Sequence, residues 1–194
     1  MRAIVFFFMV SLSVKAQFFS PSYGNSVAKN NLIVDYDFQN PASFSGSGTS
    51  VASANGKNVP AVLNGTSPTF FSDPGYVRFL PANGNYLMVG DLKSFYPQVT
   101  SSTRSGVFTL SLWFNPTGAN GNVVSDLWST NISEGYHTSD IEMVAGNLKF
   151  TVWPRSTVIT TATTVSLNTW HHIVLAYTGS KVNAYLDGAL VGTA

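Results

Sequence analysis

The sequence predicts an all-β domain, a sandwich or a barrel, and three observations predict it. Short runs that alternate apolar and polar residues recur along the chain, with turn-forming residues between them. Aromatic residues make up 13 % of the 194 positions and charged residues only 10 %, against a typical quarter for the latter; that mixture suits half-buried strands. No stretch has the apolar spacing of an amphipathic helix.

The first residues read as an export signal. Arg2 supplies a short positive start, Ala3 to Leu12 run almost unbroken in apolar residues, and Val14 and Ala16 place small residues where signal peptidase cuts. Residues 1–16 are therefore expected to be a signal peptide, cleaved after Ala16; the alternative is a buried N-terminal strand or helix. The run is too short to span a bilayer, and no later segment is apolar enough to anchor the chain. The protein is expected to be secreted. Residues 17–30 are polar and irregular, a leader into the domain expected over 31–194.

The strands follow in order. Val34, Tyr36 and Phe38 alternate with Asp35 and Asp37, the signature of a strand with one buried face. Gln39 to Asn58 is rich in Ser, Gly and Asn and is expected to be a long surface loop. Val59 to Leu63, Thr69 to Phe71, Tyr76 to Leu80 and Tyr86 to Val89 are short strands, the last two separated by the turn-former Pro81-Ala82-Asn83-Gly84. The strongest core strand is Phe108 to Phe114, with Phe108, Leu110, Leu112 and Phe114 on one side and Thr109, Ser111 and Trp113 on the other; Asn115-Pro116 ends it. Val123 to Trp128, Asp140 to Val144, Leu148 to Trp153 and Val158 to Val165 continue the series, and Ala145-Gly146-Asn147 marks a hairpin. His172 to Tyr177, Val182 to Leu186 and a strand from Ala189 close it, with Asp187-Gly188 as a tight turn.

Several of these segments together resemble a known family. Phe108-Thr109-Leu110-Ser111-Leu112-Trp113-Phe114-Asn115-Pro116 is similar to the F-T-[IL]-S-x-W-[VF]-x-P strand of laminin G-like, concanavalin A-like jelly rolls. Asn168-Thr169-Trp170-His171-His172-Ile173-Val174 resembles the family's W-[HY]-H strand, and Tyr185-Leu186-Asp187-Gly188-Ala189-Leu190-Val191 its Y-[VI]-D-G hairpin. The opening strand, with Tyr76 to Phe79 and Tyr86 to Val89, fits the same pattern.

The resemblance implies an antiparallel β-sandwich of jelly-roll type, with Trp113 and Trp170 packed in the core and the His171 and His172 positions structural. Relatives continue past the Asp-Gly hairpin into one or two more strands, so the domain is expected to be incomplete at its C-terminal end. Many relatives also carry an aspartate where Gln39 stands here, which weakens a calcium site at that place. An immunoglobulin-like sandwich is the competing fold, disfavoured by the three motifs and the number of strands.

Composition narrows function. The net charge is +1, with no basic patch, so nucleic acid is not an expected partner. There is no cysteine, so the exported domain holds together by its core alone. The fold family includes retaining glucanases, whose E-x-D-x-x-E strand carries two carboxylates close together. Asp140 and Glu142 share a strand face, but Thr138 replaces the first glutamate and none closes the motif. Glu134 and Glu142 are the only glutamates in the chain. The glucanase site is expected to be absent, and the structural reading of Asp140 and Glu142 is a solvated strand face. His137, His171 and His172 lack zinc-motif spacing, and no nucleophile-elbow motif supports a Ser-His-Asp site.

The expected function is a secreted binding module for a carbohydrate or an extracellular protein or glycan surface. Tyr136, His137, Asp140, Glu142, Trp153 and Arg155 lie on or near one hairpin and are the expected ligand-binding residues, since aromatic faces beside polar groups suit a pyranose. Asp126, Asp140, Glu142 and Asp35 are the expected ligands should calcium bind, without a diagnostic loop. A glycoside hydrolase or polysaccharide lyase of the same fold, and a structural spacer of an adhesin, remain the alternatives.

Overall fold

The structure, a computed structural model, describes residues 2–6, 32–73, 75–90, 99–100, 103–104, 108–124, 140–152, 157–178 and 180–194. Its strands are β1 (Arg2–Phe6), β2 (Leu32–Tyr36), β3 (Ser50–Val51), β4 (Ala61–Asn64), β5 (Thr69–Phe71), β6 (Tyr76–Arg78), β7 (Tyr86–Val89), β8 (Val99–Thr100) and β9 (Thr103–Arg104). They continue as β10 (Phe108–Phe114), β11 (Gly121–Val124), β12 (Asp140–Val144), β13 (Asn147–Val152), β14 (Thr157–Thr160), β15 (His171–Tyr177), β16 (Val182–Leu186) and β17 (Ala189–Thr193).

A six-stranded sheet runs β17-β16-β15-β10-β1-β2. Its centre is the seven-residue antiparallel pairing of β10 with β15, from Phe108 opposite Tyr177 to Phe114 opposite His171. Alternation decides which face is buried. Leu110, Leu112 and Phe114 point inward from β10, Ile173, Leu175 and Tyr177 from β15, and Val34 and Tyr36 from β2. The opposing layer carries the four-stranded sheet β11-β12-β13-β14 and the three-stranded sheet β3-β4-β7. Ile141, Met143, Leu148, Phe150 and Ile159 from the former and Val51, Ala61 and Leu63 from the latter share one apolar core with the large sheet. The layers meet closely at Gly192 on β17, where a Cβ would stand 2.4 Å from Ile159 Cγ2 on β14. The fold is a β-sandwich with one core, as the sequence predicts, and its strands pair antiparallel except at β1.

Two hairpins show how local sequence sets register. The β12–β13 turn is Ala145-Gly146, both at positive φ (49° and 84°), and the β16–β17 turn is Asp187-Gly188 (50° and 82°). Two residues in that conformation match the twist of the strands they join, and Val144 faces Asn147 and Leu186 faces Ala189 as a result. Asn147 thus belongs to the strand, one residue beyond the expected turn.

Other expectations need correction. Gln39 to Asn58 is no simple surface loop. It contains β3 and buries Ser43, Phe44, Val51 and Ser53, and Phe44 meets Phe38 and Phe70 edge-on at 5.6 and 5.1 Å. Isolated apolar residues in a polar stretch leave no periodicity to read. The segment also covers the open edge of β2: Asp35 N donates to Ser53 Oγ (2.9 Å), Asp37 N to Ser43 Oγ (3.1 Å) and Ala54 N to Asp35 O (2.6 Å). An edge so covered does not recruit foreign strands. The Val158–Val165 strand is shorter, ending at Thr160, after which Thr161 Oγ1 accepts from Leu148 N at 3.1 Å. Trp113 is not a core residue: it stands half-buried on the outer face of the large sheet. Trp170 does pack, edge-on to the buried Tyr76 at 5.8 Å.

Residues Arg2–Phe6, inside the expected signal peptide, form β1. It runs parallel to both neighbours, with Ile4 level with Leu110 on β10 and Val5 level with Asp35 on β2.

Candidate functional site

The hairpin expected to bind ligand is β12–β13 and its surroundings. Tyr136, His137, Asp126, Trp153 and Arg155 lie outside the described residues. Asp140 faces Thr151 by backbone register. Glu142 stands directly opposite Lys149, and its Oε1 lies 2.6 Å from Lys149 Nζ with both side chains about one-third exposed. A cross-strand pair of that exposure contributes about 0.2–1 kcal/mol. Ile141 and Met143 point into the core as the alternation requires. Of the four expected metal ligands, then, the described residues place two side chains: Glu142, which a lysine holds, and Asp35, which stands partly buried on β2. Among the described residues no three histidine or acidic side chains gather as a metal cage.

A second group lies at the end of the β10–β15 pairing. Asp187, in the Asp-Gly turn, accepts from His172 N through Oδ1 (2.8 Å) and meets His171 Nδ1 through Oδ2 (2.7 Å), while its own N–H donates to His172 O (2.8 Å). His171 is buried, and its Nε2 lies 3.0 Å from both Ser166 Oγ and Ser166 O. Serine, histidine and aspartate are thus connected in the order of a hydrolytic triad. A carboxylate only accepts, so Nδ1 donates to Asp187, and the role of Nε2, which faces both a hydroxyl and a carbonyl of Ser166, follows the tautomer. The group is a brace that ties the turn and the Ser166 loop to β15.

His172 points to the outer face. Its ring stacks on Trp113 at 4.9 Å and 27°, and Nε2 lies 2.7 Å from Ser111 Oγ. Burial holds the imidazole below the usual histidine range, and the charge of Asp187 opposes that shift in part. The sequence pattern placed Trp113 and Ser111 on this face. Their grouping with His172 follows from the β10–β15 register, which sets Trp113 opposite His172.

The third surface is the outer face of the three-stranded sheet. Ala61 and Leu63 of β4 point inward, so Val62 and Asn64 point out; on β7 the outward residues are Tyr86 and Met88. Register sets Val62 opposite Met88 and Asn64 opposite Tyr86. Tyr86 and Met88 are 54 % and 52 % exposed, among the most open large apolar side chains described.

The base of this surface is fixed by two abutting turns. A Cβ at Gly65 would lie 2.4 Å from Gly84 O, so only glycine permits the approach. Asn85 staples the turns, accepting from Leu80 N (3.1 Å) and donating to Thr66 O (3.0 Å), and Thr66 N donates to Asn83 O (2.9 Å). Asn64 Nδ2 donates to Val62 O at 2.9 Å, and backbone register sets Asn64 opposite Tyr86. The result is an exposed phenol ring with an amide neighbour on a rigid support, the combination that grips a sugar ring by stacking and hydrogen bonding. Sequence reading missed it because the motif that spans Tyr86 marks a strand and says nothing of its partner.

Comparison with known proteins agrees with this architecture. The family model described as the concanavalin A-like lectin/glucanases superfamily matches residues 81–194. None of the curated proteins compared with the chain matches it. Among solved structures, an S-layer domain-containing protein from Clostridium thermocellum (its residues 221–444) is similar, with 15 % identity and a TM-score of 0.45 over 83 % of this chain and 71 % of that one. That likeness is too distant to inform function. No helix among the described residues is long and apolar enough to cross a membrane.

Proposed function

The chain belongs to the concanavalin A-like lectin/glucanases superfamily, and from that premise we propose that it is an exported binding module that recognises carbohydrate. Residues 1–16 act as the export signal in this reading, supported by the order of charge, apolar run and small residues at its end. The observation that carries the ligand class is Tyr86 opposite Asn64 on an exposed, stapled sheet face. A half-open ring offers its face to the C–H side of a pyranose, and the half-exposed carboxamide offers hydrogen bonds to its hydroxyls.

Hydrolysis is the weaker reading. His171 is buried with its ring held between Asp187 and the Ser166 loop, and Glu142 is tied to Lys149 rather than facing a second carboxylate.

A glycan-array screen of the secreted protein, with and without a chelator, tests the proposal. Saturable binding to a defined glycan set is expected, and a loss of binding with chelator would add a metal to the site. A folded protein that binds no glycan would point instead to a protein partner or a spacer. Release of reducing ends from a bound glycan would identify a hydrolase.

A further inference from the structure

The outward positions of the three-stranded sheet carry no charged side chain. They are Ser50 on β3, Val62 and Asn64 on β4, and Tyr86 and Met88 on β7. Register sets Ser50 opposite Val62, Val62 opposite Met88 and Asn64 opposite Tyr86. Neighbouring strands stand about 4.8 Å apart, and alternate residues about 6.8 Å apart along one strand. Val62, Asn64, Tyr86 and Met88 therefore mark the corners of a patch the size of one sugar ring and a substituent. The inward residues of the same strands, Ala61, Leu63, Leu87 and Val89, lie in the core or pack against it, so the backbone beneath the patch is fixed.

Chemistry divides the patch in two. One half is Tyr86 with Asn64. A carbonyl only accepts, so the Asn64 carboxamide is held to Val62 O by its nitrogen end, and its Oδ1 is an acceptor that no other described residue engages. The other half is Val62 with Met88, both exposed and both apolar. A plain hexose uses the first half and brings only hydroxyl groups to the second, where apolar side chains give them no partner. An acidic sugar finds no cation on any outward position. We infer that this face selects a neutral N-acetylated hexosamine, an inference that rests on the glycan reading above. The pyranose ring lies on Tyr86, the acetamido N–H donates to Asn64 Oδ1, and the acetyl methyl covers Val62 and Met88. The methyl and its two seats leave water together, while the N–H fixes the orientation that the methyl alone does not.

The test titrates the full chain with N-acetylglucosamine, N-acetylgalactosamine, glucose and galactose, read by saturation-transfer NMR. At least one acetylated sugar should bind about tenfold more tightly than its 2-hydroxy counterpart, and its acetyl methyl protons should receive the largest share of saturation. Met88→Gln keeps the length of the side chain and makes that seat polar; it should lower the preference at least about threefold. Tyr86→Ala should weaken both sugars of a pair alike. Melting temperatures near the native value establish that both variants are folded. Equal affinity for acetylated and hydroxyl sugars would overturn the inference and leave the glycan reading standing, as would an undiminished preference in Met88→Gln. No binding of any of the four sugars would overturn it too; glycans bound on the array would then keep the glycan reading, and their absence would remove both.

Discussion

Asp187 Oδ2 lies 2.7 Å from His171 Nδ1, so a residue of the β16–β17 turn reaches across to a buried ring on β15. The same carboxylate accepts the backbone N–H of His172 at 2.8 Å. Asp187→Ala removes both acceptors and leaves a buried donor without its partner, which should cost about 1.5–3 kcal/mol. Asp187→Asn keeps a residue that tolerates the positive φ of that position and should cost less. Urea unfolding of the two variants checks the order; equal losses would mean that the carboxylate alone, and not the tolerance of the turn conformation, carries the effect.

His172 makes stability depend on pH in a stated direction. Burial lowers its proton affinity in the fold, so between the ordinary histidine value near 6.5 and the lower folded value the unfolded chain binds more protons. Stability therefore rises with pH in that window and is lost as pH falls through it. Denaturant midpoints measured from neutral pH down through the window should fall more in the native protein than in His172→Gln. A variant whose midpoint falls as steeply would assign the effect to other groups.

The contact between layers at Gly192 is a second test of the sandwich. A methyl there meets Ile159 Cγ2 at 2.4 Å, and overpacking of that kind costs about 1–3 kcal/mol. Ile159→Ala creates a void and costs about 2–5 kcal/mol alone. The double variant should lose clearly less than the two single losses added, because the new methyl occupies part of the void. Additive losses would place the two residues out of contact.

The strands that could be read in the sequence are those whose own alternation decides their faces. Asp140–Val144 and Phe108–Phe114 match expectation residue for residue, because buried Leu110 and Leu112 or Ile141 and Met143 alternate with residues that face out. The Asp187-Gly188 turn was legible for a similar reason, since few pairs adopt two successive positive φ values. What the sequence concealed depends on pairing between distant segments. Nothing near Asn64 announces that Tyr86 stands across from it, and nothing near Trp113 announces His172. Phe44 and Val51 enter the core singly from a polar stretch. The outward position of Trp113 corrects an inference drawn from family resemblance, whereas the alternation of β10 had placed it on the outer face. Residues of the expected hairpin site other than Asp140 and Glu142 lie outside the described residues, and Glu142 is engaged by Lys149.

The central claim is that the Tyr86 face binds sugar, and isothermal titration with the strongest glycan from the array tests it most directly. Tyr86 is 54 % exposed and is not one of the side chains packed against the core among the described residues, so Tyr86→Ala should melt near the native temperature and bind at least about tenfold more weakly. Native affinity in Tyr86→Ala, measured on a variant of unchanged melting temperature, would contradict the account and move the ligand site to another face of the sandwich.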